Sequence, residues 1–383
     1  MDKSAVWEYP PLSLLSDVVG EKAQRGDIKS IASTIEKTLK SFGVEARVAE
    51  VNLGATITQY AIEVAAGTRI SEVTALAGDL ALATQAPTGQ IRIEAPIPGR
   101  NLIGLEIVNI TSELVRLKQV LSSQVMQQAK SKLALPLGLN VVGFPLVTNL
   151  ARLPHLLIAG NARSGKTTVI NSFITSLLFR ASPTEVKLIL IDTKNVDMSI
   201  YNGIPHLLTP ALNAPEKILS ALKWLMAEID RRHKTFAEKG VRNIDSYNQI
   251  MGYQALPYIV TVIDDMEALL EDSYMNAEDA IVRITRLGHS AGVHMILATQ
   301  KPNAEVFSPQ IKSNIPARIG LFLPRKLDYS VSLDIPDTDR LLGKGDMFFL
   351  EPELQKPVRA QGIFVSESEI QNTVSFLTKE SKQ

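Results

Sequence analysis

The apolar positions of this chain follow two different patterns, one in each half. In the first half Ile28, Ile31, Ile35, Leu39 and Phe42 recur at helical spacing, which predicts a helix within 21–42. Residues 46–51 and 56–64 are β-branched and roughly alternating, with Gly54 between them, and predict two strands. Helical spacing returns over 70–83. Short strands are expected at 91–93 and over 104–109, separated by the turn signal Pro96-Ile97-Pro98-Gly99. Residues 115–125 are again helical. This half predicts a small α/β unit without a catalytic constellation. The expected organisation is an entry linker over 1–20, containing Tyr9-Pro10-Pro11, then the small unit over 21–130. A second unit is expected over 131–383, starting where polar 127–132 gives way to Leu135-Pro136-Leu137-Gly138.

In the second half the alternation disappears. Residues 156–159, 187–191, 258–263 and 294–298 are short, almost continuous apolar runs. Such runs suit strands buried on both faces of a mostly parallel sheet. Helical stretches over 167–179, 214–239 and 278–289 separate them, and this order predicts a doubly wound α/β domain.

Composition then narrows the chemistry. With 45% hydrophobic and 21% charged residues the chain is globular and can bury a sizeable core. Forty Lys and Arg balance forty Asp and Glu, so polyanion binding by bulk charge is excluded, although a local basic loop can still meet a phosphate backbone. The absence of cysteine excludes disulfides, thiolate metal sites and cysteine nucleophiles. None of the five histidines is spaced as a helical metal pair. No run approaches the ~18 apolar residues of a membrane span. The first residues carry Asp2, Lys3 and Glu8 and no apolar signal region, so the chain as written reads as cytosolic.

The strongest chemical signal is Gly160-Asn161-Ala162-Arg163-Ser164-Gly165-Lys166-Thr167, which matches G-x-x-x-x-G-K-[ST] between a predicted strand and a predicted helix. In that context loop amides and the helix N-terminus hold phosphates. Lys166 reaches the β- and γ-phosphates of ATP, and the Thr167 hydroxyl ligates Mg²⁺. Gly160 through Thr167, with Thr168 after them, are therefore the candidate nucleotide-binding residues. The apolar run ending in Asp264-Asp265 supplies a carboxylate for the Mg²⁺ shell, Asp264, and one to orient and deprotonate water, Asp265. Asp265 also fits a helix cap. Asp192, followed by Thr193 and Lys194, fits a strand-end ion pair as well as a nucleotide contact. Gln300, ending the run 294–298 with Thr299, can sense a γ-phosphate or align water.

Together with Leu153-Pro154-His155, Ile204-Pro205-His206-Leu207-Leu208, 242–248, Asn314-Ile315-Pro316-Ala317-Arg318 and 341–347, these motifs resemble the motor of FtsK/SpoIIIE-type DNA translocases. In the first half, 54–60, Ala95-Pro96-Ile97-Pro98-Gly99-Arg100 and 103–106 resemble that family's α subdomain, so the resemblance covers nearly the whole chain. It implies a RecA-like P-loop ATPase (β) subdomain preceded by the small α subdomain. It also implies a homohexameric ring around double-stranded DNA, driven by ATP and acting in chromosome segregation at cell division. Typical members carry an inner-membrane anchor before the motor and a winged-helix domain after it, and neither lies in the chain as written. Division factors are possible partners of such a protein.

The resemblance puts pore-loop DNA contacts at Lys301 and Lys326, with Ser330 at a third, usually basic, position. Three further positions depart from the family pattern. Arg163 stands where Gly is usual, Asp265 stands for Glu, and His289 occupies the place of the arginine finger. Arg286, one helical turn earlier, is then the expected catalytic arginine supplied to a neighbouring subunit, with Arg318 in reserve. Two other readings stand beside the DNA pump: a related P-loop pump for protein substrates, and an ATP-binding switch or scaffold with low turnover. Against the protein pump, the chain carries one phosphate loop rather than several in tandem.

Overall fold

The computed structural model describes residues 7–17, 21–194, 196–252, 255–271, 277–303, 308–334, 341–353 and 356–380. A four-stranded antiparallel sheet forms from β1 (Ala46–Leu53), β2 (Ile57–Val64), β3 (Arg92–Glu94) and β4 (Ile103–Val108) in the order β1-β2-β4-β3. The helix Ile28–Ser41 lies on it. Asp27 caps that helix by accepting from the amides of Lys29 and Ser30, and its apolar stripe buries Ile35 and Leu39 against Tyr60, Ile62 and Leu105.

The larger sheet has nine strands: β5 (Ala134–Asn140), β6 (Pro145–Asn149), β7 (Leu156–Ala159), β8 (Val186–Asp192), β9 (Tyr258–Asp264), β10 (Val293–Thr299), β11 (Ala317–Gly320), β12 (Asp346–Leu350) and β13 (Val358–Gly362). Their order is β6-β5-β13-β12-β11-β7-β10-β9-β8. The five strands from β11 to β8 pair in parallel. The remaining four form an antiparallel wing. The parallel core matches the buried apolar runs, whereas the sheet as a whole is mixed rather than mostly parallel. The helices Lys166–Arg180, Pro215–Glu238 and Ala277–Ala291 cover its faces, within two residues of the expected bounds.

The two cores do not part at residue 130. Val115, Leu117, Val120, Leu121 and Met126 pack into the core of the large sheet. The short helices Leu117–Leu121 and Gln124–Gln128 therefore pack with the large sheet. The expected entry linker is also docked where it is described: Leu15 is buried in the same core and the Trp7 ring meets His206 edge-on at 5.5 Å.

Candidate active site

The phosphate loop leaves β7 and enters the helix Lys166–Arg180 through Gly165, whose φ of 104° is left-handed. That conformation strains any residue with a Cβ, and at Gly165 a Cβ would also lie 2.6 Å from the Gly345 amide nitrogen. Neighbouring strand ends pin the loop. The Gly160 amide donates to Thr299 O at 3.1 Å, the Asn161 amide to Phe322 O at 3.0 Å, and the Gly345 amide to Ser164 O at 2.8 Å. Asn161, Ala162, Arg163, Gly165, Lys166, Thr167 and Thr168 line a cleft of about 520 Å³, large enough for a nucleotide. Gly160 and Ser164 sit behind the lining and shape the loop; a Cβ on Gly160 would come within 2.6 Å of Ser164 Oγ. Arg163 is exposed at φ 63°. The far wall comes from Lys344 and Gly345 of the 341–347 motif and from residues that sequence reasoning did not single out: Leu114, Gln361, Gly362, Ile363 and Phe364.

The parallel order places β9 and β10 beside β7, so their C-terminal residues meet the loop. Lys166, Asp264 and Asp265 are each no more than 5% exposed. The Lys166 ammonium donates to Asp264 Oδ1 and lies 3.2 Å from Asp265 Oδ1. Asp265 has φ 57°, a left-handed conformation that Asp tolerates better than most residues. Its other oxygen takes Lys194 Nζ at 2.5 Å. Gln300 Nε2 donates to its two oxygens at 2.9 and 3.2 Å. Burial pushes the Asp265 acid up, but Lys194 and Lys166 outweigh that and hold it below the usual carboxylate range. Burial lowers the Lys166 ammonium, against the pull of Asp265.

The structure thus brings Lys166, Asp264, Asp265, Gln300 and Thr167 together. It adds Asp197, whose carboxylate accepts from Thr167 Oγ1 at 3.4 Å and whose acid is raised, first by burial and then by the charge of Asp192. It also adds Glu267, whose Oε1 accepts from the Gln300 amide at 3.2 Å. Asp192 itself accepts four backbone N–H groups, from Lys194, Val196, Asp197 and Met198, at 2.8–3.1 Å. It folds the loop that carries Lys194 and Asp197 to the site.

The remaining expected residues lie outside this cluster. Arg286 is exposed on the helix Ala277–Ala291, without an acidic partner among the described residues. One turn on, His289 Nε2 lies 3.0 Å from Ala151 O. Arg318 is buried, donates to Lys312 O at 3.0 Å and pairs with Asp334, which argues against its reserve role as a trans-acting group. Lys301 is exposed next to Gln300, and its amide donates to Thr299 Oγ1 at 3.0 Å. Lys326 opens the helix Lys326–Leu333, but its side chain lies outside the described residues. No helix among the described residues is long and apolar enough to cross a membrane.

Comparison with known proteins matches residues 116–304 to the FtsK/SpoIIIE family and residues 9–109 to the FtsK alpha domain. The DNA translocase FtsK of Caldanaerobacter subterraneus subsp. tengcongensis is 42% identical over 369 residues, which is 96% of this chain and 52% of that protein. The DNA translocase SpoIIIE of Bacillus subtilis is 40% identical over 387 residues, 98% of this chain and 49% of that protein. The chain spans about half the length of the curated relatives it matches. Among solved structures, the pCW3 conjugation coupling protein TcpA, in its monomer form with ATPγS, is similar with a TM-score of 0.61 at 18% identity, covering 91% of this chain and 99% of that one. The cytoplasmic domain of the type VII secretion ATPase EccC of Thermomonospora curvata gives 0.60 at 22% identity, covering 70% and 34%. At these identities the likeness concerns the fold, that of a P-loop ATPase.

Proposed function

The chain belongs to the FtsK/SpoIIIE family, and from that premise we propose that it is the motor of an ATP-driven double-stranded DNA translocase. One structural observation carries the ATPase reading. A phosphate loop presents a buried lysine between two strand-end carboxylates, with a glutamine on the second, at the wall of a nucleotide-sized cleft.

Lys166 pairs with Asp264 and Asp265. An ATP triphosphate along the loop would draw Lys166 to the β- and γ-phosphates, freeing Asp264 and loosening one of the contacts on Asp265. The donor set suits Mg²⁺, because Thr167 and Asp264 offer hard oxygens and this ion takes few protein ligands, leaving the rest to water and phosphate. Bound there, the ion would neutralise charge across the phosphates. Gln300 would orient the attacking water, since its side-chain amide donates to the second carboxylate and its backbone amide to Glu267. Lys301, directly after Gln300, and Lys326 are the proposed phosphate contacts of the DNA path. Reading backbone rather than bases, they would grip any sequence alike. A homohexameric ring, action in chromosome segregation and a membrane anchor outside this chain complete the proposal.

ATP turnover measured with and without double-stranded DNA tests this reading. DNA should stimulate it, and Lys166→Ala should reduce it to background. Lys301→Ala with Lys326→Ala should weaken DNA binding on all sequences and flatten its salt dependence by about one unit of slope per lost contact. Turnover that ignores DNA favours a pump for another polymer, and Lys166→Ala turnover near the unsubstituted rate rejects the site.

A further inference from the structure

We propose that Glu267, two residues beyond the second strand-end carboxylate, is the general base that activates the attacking water. The proposal rests on the ATPase reading above and assigns a role within the same site.

Asp265 is badly placed for the task. Its two oxygens already hold Lys166, Lys194 and Gln300. A carboxylate saturated with cationic donors holds its charge and accepts a proton poorly. It is also one methylene shorter than glutamate, and its left-handed backbone fixes where the short side chain points. Lys194 is 57% exposed, anchored by its own loop, and need not leave when ATP draws Lys166 away.

Glu267 has what Asp265 lacks. It is 6% exposed, and one oxygen, Oε1, is held by the Gln300 amide. The other, Oε2, is buried without a hydrogen-bond partner among the described residues. A bare buried carboxylate oxygen is costly, and a purely structural glutamate would be expected to fill both oxygens. The left-handed turn at Asp265 carries the chain back so that the Met266 amide meets Ala298 O at 2.8 Å, which sets Glu267 under the end of β10. Its charge is felt at both Lys166 and Lys194, so it belongs to the same electrostatic cluster. Gln300 links the two carboxylates, by its side chain to Asp265 and by its backbone to Glu267. Gln300, which lines the cleft, therefore stands next to both carboxylates, and a water on its side chain would lie on the side of the site where Glu267 sits.

In the step, an O–H bond of that water breaks and the proton passes to Glu267 Oε2. The water oxygen bonds to the γ-phosphorus. The bond from phosphorus to the β–γ bridging oxygen breaks, and its electron pair leaves on ADP. Glu267 later gives the proton to solvent or to inorganic phosphate. Asp265 remains the fixed anion that holds Lys194 and Gln300 in place.

Glu267→Gln keeps the size and an oxygen to accept the Gln300 amide, but cannot take the proton. With DNA present, kcat should fall about a hundredfold or more, the usual range for a lost general base. KM for ATP and ATPγS affinity should stay within about threefold, and the acid limb of the kcat–pH profile should vanish. A kcat within threefold of the unsubstituted chain overturns the assignment. So does a kcat loss that tracks a loss of ATPγS affinity, or one that leaves the acid limb in place. If the unsubstituted chain binds ATPγS yet turns over no ATP with DNA, the ATPase reading itself fails and this assignment falls with it.

Discussion

At Asp265 one backbone conformation and one side-chain length decide how the site is wired. The turn that lifts Met266 to Ala298 brings Glu267 under Gln300, and nothing in the local pattern announces it. The loop motif and the strand-end pair were legible because G-x-x-x-x-G-K-[ST] and an apolar run ending in acids carry their mechanism in fixed spacing. Glu267, Lys194 and Asp197 arrive at the site through turns, and only their place near a strand-end acid hinted at them. Lys326 shows the reverse case, a residue read from resemblance whose side chain lies outside the described structure. Two histidines make a residue-scale prediction. His206, with Nε2 2.8 Å from Ala181 O, and His294, with Nδ1 2.7 Å from Pro154 O, are both lowered by burial to about 4. Their folded values lie below the unfolded value of about 6.5, so the unfolded chain binds more protons as pH falls. The stability they confer is full above about pH 6.5 and is lost progressively as pH falls toward 4. Thermal melts at about pH 7 and pH 5 should show a falling midpoint, and a smaller fall in the His206→Gln/His294→Gln double variant. An equal fall in both proteins would refute the assignment.

At the scale of elements, the parallel strands were readable because burial on both faces leaves continuous apolar runs. The antiparallel wing was not. In β5, Pro136 and Gly138 look like a linker, yet they lie on either side of a register shift in pairing to β6. Gly138 has φ 138°, and a Cβ there would sit 1.9 Å from Gln361 O, so the position needs glycine on both counts. The wing joins the two sheets electrostatically. Arg359 on β13 pairs with Asp346 on β12 at 2.7 Å and with Glu106 on β4 at 3.0 Å, and Arg92 on β3 holds Glu106 at 2.7 Å. Burial lowers Arg359, but Asp346 and Glu106 outweigh it and keep the guanidinium above its ordinary value. On the same strand Gln361 receives Thr56 Oγ1 at 2.5 Å and donates to Lys344 O at 2.9 Å, beside the Gly345 that packs on the phosphate loop. Contact from the small subdomain to the loop therefore runs through β13. Glu106→Gln leaves buried Arg359 and half-buried Arg92 sharing one fewer anion and should cost about 3 kcal/mol of stability, within the range for breaking a buried pair. Denaturant melts check it, and a loss under about 0.5 kcal/mol would show that the network carries little energy.

At the scale of the whole molecule, no arginine among the described residues stands at the chain's own cleft in the role of a finger. Arg163 lines the cleft but belongs to the loop itself. Arg318 is buried and paired with Asp334. His289 is engaged near Ala151 O, and a neutral imidazole cannot reproduce a guanidinium fork. Arg286 is exposed and has no acidic partner among the described residues. Its helix carries Arg286 and His289 outward while Ile281, Ile284 and Thr285 face the core, so the guanidinium is directed away from its own subunit. In the proposed ring, that makes Arg286 available to the cleft of a neighbour, where the charge building on the γ-phosphate needs it. Arginine fingers contribute about 10³–10⁵ in rate in related chemistry, so a ring of Arg286→Ala subunits should lose at least about a hundredfold in kcat while still binding ATPγS. Mixing separates cis from trans action. Arg286→Ala subunits keep a working loop, and Lys166→Ala subunits keep the arginine, so each pure ring should be nearly inactive. In mixed rings, an intact loop next to a Lys166→Ala neighbour has both parts, and DNA-stimulated turnover should rise above the sum of the two pure preparations. A mixture no better than that sum would put Arg286 in its own subunit's site or outside the chemistry, and full activity of the pure Arg286→Ala ring would remove it altogether.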